Sequence, residues 1–271
     1  MTGWFLREME EADMEFVSTC SHGRESEEII ACGADRRAWL ESMVPHGLRV
    51  LVAIDQGFPV GFLYVMPVEI SPRGPRGEDL MIVPCLYVLK RLSGQGIGKG
   101  LLSEAEGIAR SRAVGGLAVM ACDWDFWFMP ASFFLSLGYT EADRQGKDVI
   151  LWKHWREIPS PHLFVPNIPY RPTPGAVTID LCWNTFCQTS WIEAQHVREV
   201  AAEFGDKVVL HEFSADDPTN RAHLQCSRAI FIDGREMGWG YEAPREGLRE
   251  AIEEALPRSG FTAGRKEEER T

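Results

Sequence analysis

The chain has 271 residues, 45% of them hydrophobic and 25% charged, which is the composition of an ordinary globular protein with one large domain or two small ones. Its formal net charge of −12 argues against nucleic acid as a partner, because neutralising phosphates takes a basic face, although a local basic pocket for a polyphosphate cofactor is compatible with it. No apolar run is long enough to cross a bilayer, and the acidic start MTGWFLREMEEADMEF lacks the layout of a signal peptide, so a cytoplasmic protein without a membrane partner is expected.

Trp4 to Met9 reads as a strand, and Glu11 to Met43 as mainly helical with breaks near Ser21-His22-Gly23 and Cys32-Gly33. Two apolar runs, Arg49 to Ile54 and Val60 to Val68, flank Asp55-Gln56-Gly57, a hairpin signature. Leu80 to Leu89 is a third, strongly apolar strand. A glycine-rich loop follows it, and then Lys99 to Arg112 has helical character, with Leu101, Leu102, Ala105, Ile108 and Ala109 on one face. Leu117 to Ala121 is again a strand, Ala131 to Ser136 a short helix, and Val149 to Trp152 a last strand.

From residue 157 to 175 the sequence EIPSPHLFVPNIPYRPTPG is rich in proline, which blocks helix interiors and central strands, so it reads as an extended connector between two domains. The expected division is a first domain over 1–156, the connector over 157–175, a second domain over 176–256 and a polar, frayed tail over 257–271. The second domain reads as strand (Ala176 to Leu181), helix (Ile192 to Phe204), strand (Val208 to Phe213) and short helix (Thr219 to Leu224). It ends with strand (Ala229 to Ile232), a turn at Asp233-Gly234, strand (Met237 to Tyr241) and helix (Glu246 to Leu256), a mixed α/β layer fold.

The loop Ser93-Gly94-Gln95-Gly96-Ile97-Gly98 stands between a strand and a helix. A helix N-terminus offers unpaired N–H groups and the positive end of its dipole, and glycines let the backbone approach phosphate oxygens. Lys99 adds a positive charge. Taken alone, such a loop serves equally well as a tight turn. A dinucleotide-binding loop would open a βαβ unit, whereas this one follows three antiparallel-looking strands, and no Gly-Lys-Ser/Thr is present for a P-loop.

In that context CLYVLKRLSGQGIGKGLLSEAEGIAR, then GGLAVMAC, then ASFFLSLGY resemble the GNAT acetyltransferase superfamily over roughly Phe5 to Trp155. The resemblance implies a mixed sheet with flanking helices and acetyl-CoA as the cofactor. It implies transfer of the acetyl group to an amine of a small molecule or peptide. Leu86, Tyr87 and Val88 then match the strand that pairs with the pantetheine arm. Gln95, Gly96, Ile97, Gly98, Lys99 and Gly100 match the pyrophosphate turn, and Ser93 stands where the family has Gln or Arg. The tyrosine that the family uses as an acid is here Phe134, so this acid is absent, or Tyr139 or a water takes its place. Glu78 and Asp79 are candidates for the base, although they read equally as solvated loop carboxylates, and Asp123 and Asp125 at the end of the next strand are second candidates. Trp124, Phe126, Trp127 and Phe128 wall an acceptor pocket or simply pack the core.

Seven cysteines, from Cys20 to Cys226, read as reduced thiols and not as a disulfide framework. Cys20, His22 and Cys32 fit no standard zinc spacing, so packing is the expectation there. Cys187 lies between a strand and a helix, where the helix N-terminus favours a thiolate. With Trp183-Asn184-Thr185-Phe186-Cys187 and the later AIFIDGRE, the second segment resembles a thioredoxin-like domain, and the pairing of the two domains resembles the YoaP-type bacterial proteins. Ser190 replaces the resolving cysteine, and Gln225-Cys226-Ser227 replaces the cis-proline neighbourhood. The resemblance implies that Cys226 faces Cys187, with Cys182 as a third thiol. Such a cluster forms a disulfide, holds a soft metal or metalloid, or is a set of buried hydrophobes around an inert thiol. An alternative function follows, a thiol-based metal-binding or redox protein that keeps the first domain as a CoA-binding scaffold.

Overall fold

The hairpin expected at Asp55-Gln56-Gly57 forms because Gln56 (φ 50°) and Gly57 (φ 84°) both take the left-handed conformation that a two-residue turn demands. It joins β2 (Arg49–Asp55) to β3 (Phe58–Pro67). The computed structural model describes residues 3–124 and 128–259 and divides the chain into two compact units, Met1–Val165 and Pro166–Thr271.

In the first unit, β1 (Trp4–Glu8), β2, β3, β4 (Leu80–Val88), β5 (Gly116–Cys122), β6 (Thr140–Gln145) and β7 (Asp148–His154) form a seven-stranded sheet in the order β1-β2-β3-β4-β5-β7-β6. Only β4 and β5 run parallel; the other pairs are antiparallel. A parallel pair needs a crossover, and α3 (Ile97–Ser111) supplies it. Its buried Ile97, Leu101, Leu102, Ala105 and Ala109 pack with Leu63, Val65, Met81, Val83, Leu117 and Val119 on one face of the sheet. On the other face lie α1 (Met14–Ser18) and α2 (Glu27–Met43), where Phe16 meets Phe62 edge-on at 5.9 Å and Arg36 donates to the Tyr64 hydroxyl at 3.1 Å. The mixed α/β architecture with flanking helices is therefore present.

A bulge in β4 shapes the middle of this sheet. Tyr64 pairs with Cys85 and Met66 with Ile82, so Val83 and Pro84 together oppose the single residue Val65. The extra residue flips the alternation: Met81 and Val83 face α3 before the bulge, and Leu86 and Val88 face it afterwards. Proline has no N–H to give to a ladder, so Pro84 stands where it costs least, at the bulge. Pairing between β4 and β5 runs from Leu80–Gly116 to Val83–Val119 and goes no further.

The second unit has a four-stranded sheet in the order β11-β10-β8-β9. β8 (Val177–Trp183) runs parallel to β9 (Val208–Ser214) and antiparallel to β10 (Ala229–Ile232), which pairs with β11 (Arg235–Met237). α5 (Gln188–Glu203) joins β8 to β9, α6 (Pro218–Leu224) joins β9 to β10, and α7 (Arg245–Ser259) ends the unit. Val177, Ile179 and Leu181 share a core with Ala194, Val197, Leu248 and Ile252.

Four sequence expectations change. α2 runs unbroken through Cys32-Gly33; a Cβ on Gly33 would stand 2.8 Å from Thr19 Cγ2, so this glycine serves close packing and not a break. β6, TEADRQ, was not expected; it is a polar edge strand paired with β7. β11 is Arg235–Met237, so the strand expected over Met237 to Tyr241 stops at its first residue, and within the connector 157–175 the division between the units falls after Val165. His162 bridges Arg76 and Leu163 is buried in the first, while Asn167 donates to the Leu224 carbonyl in the second. The expected tail is helical up to Ser259, and 260–271 lie outside the described residues.

Gly61 pairs with Val88, and a Cβ there would meet the Tyr87 carbonyl oxygen at 2.8 Å. Backbone cannot yield as a side chain does. Gly61→Ala is predicted to lower stability by about 1–3 kcal/mol, read as a fall in the urea midpoint of the full chain.

Candidate functional site

The site begins where β4 leaves β5. In an antiparallel pair, successive residues point their N–H and C=O alternately toward and away from the partner. Leu89 N–H donates to the Val60 carbonyl of β3, whereas Leu86 N–H points the other way and donates to Met129 Sδ at 3.1 Å. Leu86 and Val88 thus present backbone donors and acceptors to the gap on the β5 side, an edge that an extended, amide-bearing chain can pair with.

The glycine-rich loop closes the open end of that gap. After the turn Lys90–Leu92, Gly94 (φ 79°) and Gly96 (φ 83°) take left-handed conformations, and Gly96 caps α3. A Cβ on either would meet nothing within 4 Å, so the outer surface of the turn is open. The first-turn amides of α3 have no intrahelical acceptor and face it. Ser93, Gln95 and Lys99 are exposed around the turn, as are Lys90 and Arg91, so basic side chains surround the helix N-terminus despite the acidic total. Gly98 and Gly100 turn inward: a Cβ on Gly98 would lie 3.4 Å from Phe133 Cζ and 3.6 Å from Leu86 Cδ2, and one on Gly100 would meet Trp4 at 3.0 Å. The Gly98–Leu86 approach makes the anion site and the strand edge contiguous. Together they suit a ligand with a polyphosphate at one end and an extended amide arm at the other.

Away from α3, the gap is lined by different chemistry. The Tyr87 ring stacks on Phe62 at 5.5 Å, and Ser21 Oγ donates to the Tyr87 hydroxyl at 2.9 Å. Buried Arg36 donates to Cys20 Sγ at 3.1 Å and to the Ser18 carbonyl. Arg73 donates to the Pro84 carbonyl at 2.9 Å, satisfying the bulge. At the end of β5, Cys122 Sγ lies 3.9 Å from Asp148 Oδ1, and burial and then that carboxylate push the thiol pKa up.

Of the expected acid and base candidates, Glu78, Asp79 and Tyr139 lie away from the gap. Glu78 and Asp79 precede β4, roughly 20 Å along the strand from Leu86 at 3.3 Å per residue. Asp79 accepts hydrogen bonds from Arg156 Nε at 3.0 Å and from Nη2 at 2.6 and 2.5 Å, which hold its carboxyl below the ordinary range. Tyr139 is buried under α3 and donates to Glu106 Oε1 at 3.1 Å; burial and then Glu106 push its phenol far up. Phe134 is fully buried beside it. Asp123 pairs with Arg144 at 2.6 Å, Trp124 is half-exposed, and Asp125, Phe126 and Trp127 lie outside the described residues.

In the second unit, Cys187 is the N-cap of α5, with its N–H on Asn184 Oδ1 at 2.9 Å; Asn184 also donates to the Ser227 carbonyl, and Ser190 Oγ accepts from Asn184 N–H. Asn184 thus ties the loop before Cys187 to the residue after Cys226. Cys226 shares a buried cluster with Cys182, whose thiol is pushed far up by their hydrogen bond and by burial. Among the described residues no group of three His, Cys, Asp or Glu side chains is placed to hold a metal ion, which removes the three-thiol cluster. His22 pairs with Glu25 at 3.1 Å and Cys32 is buried on α2, so neither joins Cys20 in a metal site.

No protein-family model matches the chain, and no curated protein does. Solved structures resemble just over half of it. PaiA N-acetyltransferase from Thermoplasma acidophilum, in complex with coenzyme A, is 20% identical over 56% of this chain and 99% of its own, with a TM-score of 0.42. Ribosomal-protein-alanine N-acetyltransferase from Brucella melitensis is 22% identical over 55% and 99%, with a TM-score of 0.41. A GNAT family acetyltransferase from the same organism, in complex with acetyl-CoA, is 16% identical over 58% and 92%, with a TM-score of 0.38. At these scores the likeness adds no weight to the geometry.

Because the Tyr139 hydroxyl is committed to Glu106, Tyr139→Phe is predicted to cost about 1 kcal/mol of stability and leave ligand binding at the gap unchanged. Denaturant unfolding and calorimetry with CoA check this. A large loss of turnover at unchanged stability and binding would restore Tyr139 as the acid.

Proposed function

We propose that the first unit is a GNAT-type N-acetyltransferase that binds acetyl-CoA and transfers its acetyl group directly to an amine of a small molecule or peptide. The observation that carries this reading is the continuity of the Leu86–Val88 edge with the glycine-capped N-terminus of α3 through the Gly98–Leu86 approach. The amides of Gly96 to Lys99 and the flanking Lys90, Arg91 and Lys99 hold the pyrophosphate, and Leu86 and Val88 orient the arm. Acetyl-CoA supplies an activated thioester when bound. Oriented backbone donors stabilise the oxygen that gains charge during acyl transfer, in a gap that apolar side chains keep dry.

The acceptor enters from the face of Tyr87, Ser21 and Cys122, opposite α3. Asp148 replaces Glu78 and Asp79 as the base candidate, since it stands at the open end of β5. The order β11-β10-β8-β9 and the placement of Cys187 at the start of α5 support the thioredoxin-like reading of the second unit, with Cys187 as its thiol group and a role accessory to transfer.

Acetyl-CoA turnover across a panel of amines tests the reading, with release of free CoA as the readout. Gly96→Val is predicted to weaken CoA binding tenfold or more, because an L-residue is strained at φ 83° and brings a Cβ in front of the phosphate amides. Unchanged affinity would remove the loop from the site. Asp148→Asn is predicted to lower kcat at least tenfold with CoA affinity intact, and an unchanged rate would exclude Asp148 as the base.

A further inference from the structure

Met129 carries a conformation and a contact that the fold does not require. Its φ of 47° is left-handed, and its side chain is buried, with 3% exposed. Its carbonyl accepts from Cys122 N–H at 2.9 Å, and Pro130 bridges the same residue, so its backbone belongs to the β5 side of the gap. Its sulfur nonetheless lies 3.1 Å from Leu86 N on β4. One side chain therefore spans the two strands just beyond the point where their pairing ends.

The partner chosen for Leu86 is a poor one. A thioether accepts hydrogen bonds weakly, and a ligand carbonyl is a far better acceptor for an amide held in a dry gap. From the geometry we infer that Met129 is the stop at the inner end of the cofactor channel and limits the transferred acyl group to a short one. This rests on the acyl-CoA reading given above. The innermost carbonyl of the ligand takes Leu86 N–H, the Met129 sulfur yields that amide, and the Met129 side chain then walls the space into which an acyl chain extends. Acetyl fits in front of it, and each further methylene is forced against a packed side chain whose backbone is fixed to β5.

Calorimetric dissociation constants for CoA, acetyl-CoA, butyryl-CoA and hexanoyl-CoA test the inference without an acceptor. The full-length wild type is predicted to bind butyryl-CoA and hexanoyl-CoA at least tenfold more weakly than acetyl-CoA. Met129→Ala is predicted to remove most of that difference while CoA itself binds within about threefold of wild type. Met129→Leu, which restores bulk without sulfur, is predicted to keep the wild-type preference; Met129→Gly suits the left-handed backbone and serves if the alanine variant fails to fold. If CoA binds but the butyryl-to-acetyl ratio is the same in wild type, Met129→Ala and Met129→Gly, the stop is not Met129 and the acyltransferase reading stands. If CoA does not bind the wild type, both fall.

Discussion

The first unit depends on the point at which β4 stops pairing with β5. A parallel ladder that continued past Val83 would bury the Leu86 and Val88 amides in backbone hydrogen bonds and leave nothing for a ligand. The bulge at Val83–Pro84 ends it, and Arg73 on the Pro84 carbonyl keeps the disrupted backbone satisfied. The same bulge sets side-chain direction, so that Leu86 and Val88 point toward α3 while Tyr87 points to the opposite face with Phe62 and Ser21. The surfaces proposed for cofactor and acceptor are thus two sides of one strand, and their separation follows from a single inserted residue.

The charge distribution follows from the same arrangement. A chain of net charge −12 needs a local device to hold a polyphosphate. The open turn at Gly94 and Gly96 supplies oriented amides at short range, and Lys90, Arg91 and Lys99 add positive charge around them. Short-range donors of this kind work largely independently of the total charge, because salt screens distant carboxylates at about 8 Å in physiological conditions.

Much of this was legible in the sequence. Strand periodicity placed β2, β3, β4 and β5, and the run of glycines after β4 located the turn, since both are local signals. The bulge was not legible, because Val83-Pro84 within an apolar run gives no local sign that two residues will oppose one. The polar edge strand β6 lacks an apolar alternation to read. Met129 and Leu86 are 43 residues apart, and a side chain donating no charge and forming no motif leaves no trace of such a contact. Glu78 and Asp79 are near β4 in sequence, but a strand carries its two ends far apart, and Asp148, the carboxylate beside the end of β5, comes from another strand. In the second unit the element order was readable, whereas the pairing of Cys226 with Cys182 depended on register between β8 and β10, where Ala229 sits opposite Cys182.

Amide hydrogen exchange of the full chain with and without CoA tests the central claim most directly, because the claim concerns particular backbone N–H groups. Protection on adding CoA is predicted in the segments holding Leu86 to Val88 and Gly94 to Lys99, with β8 to β11 unchanged. Protection confined to other segments, with exchange at Leu86–Val88 and Gly94–Lys99 unaltered by saturating CoA, would contradict the account.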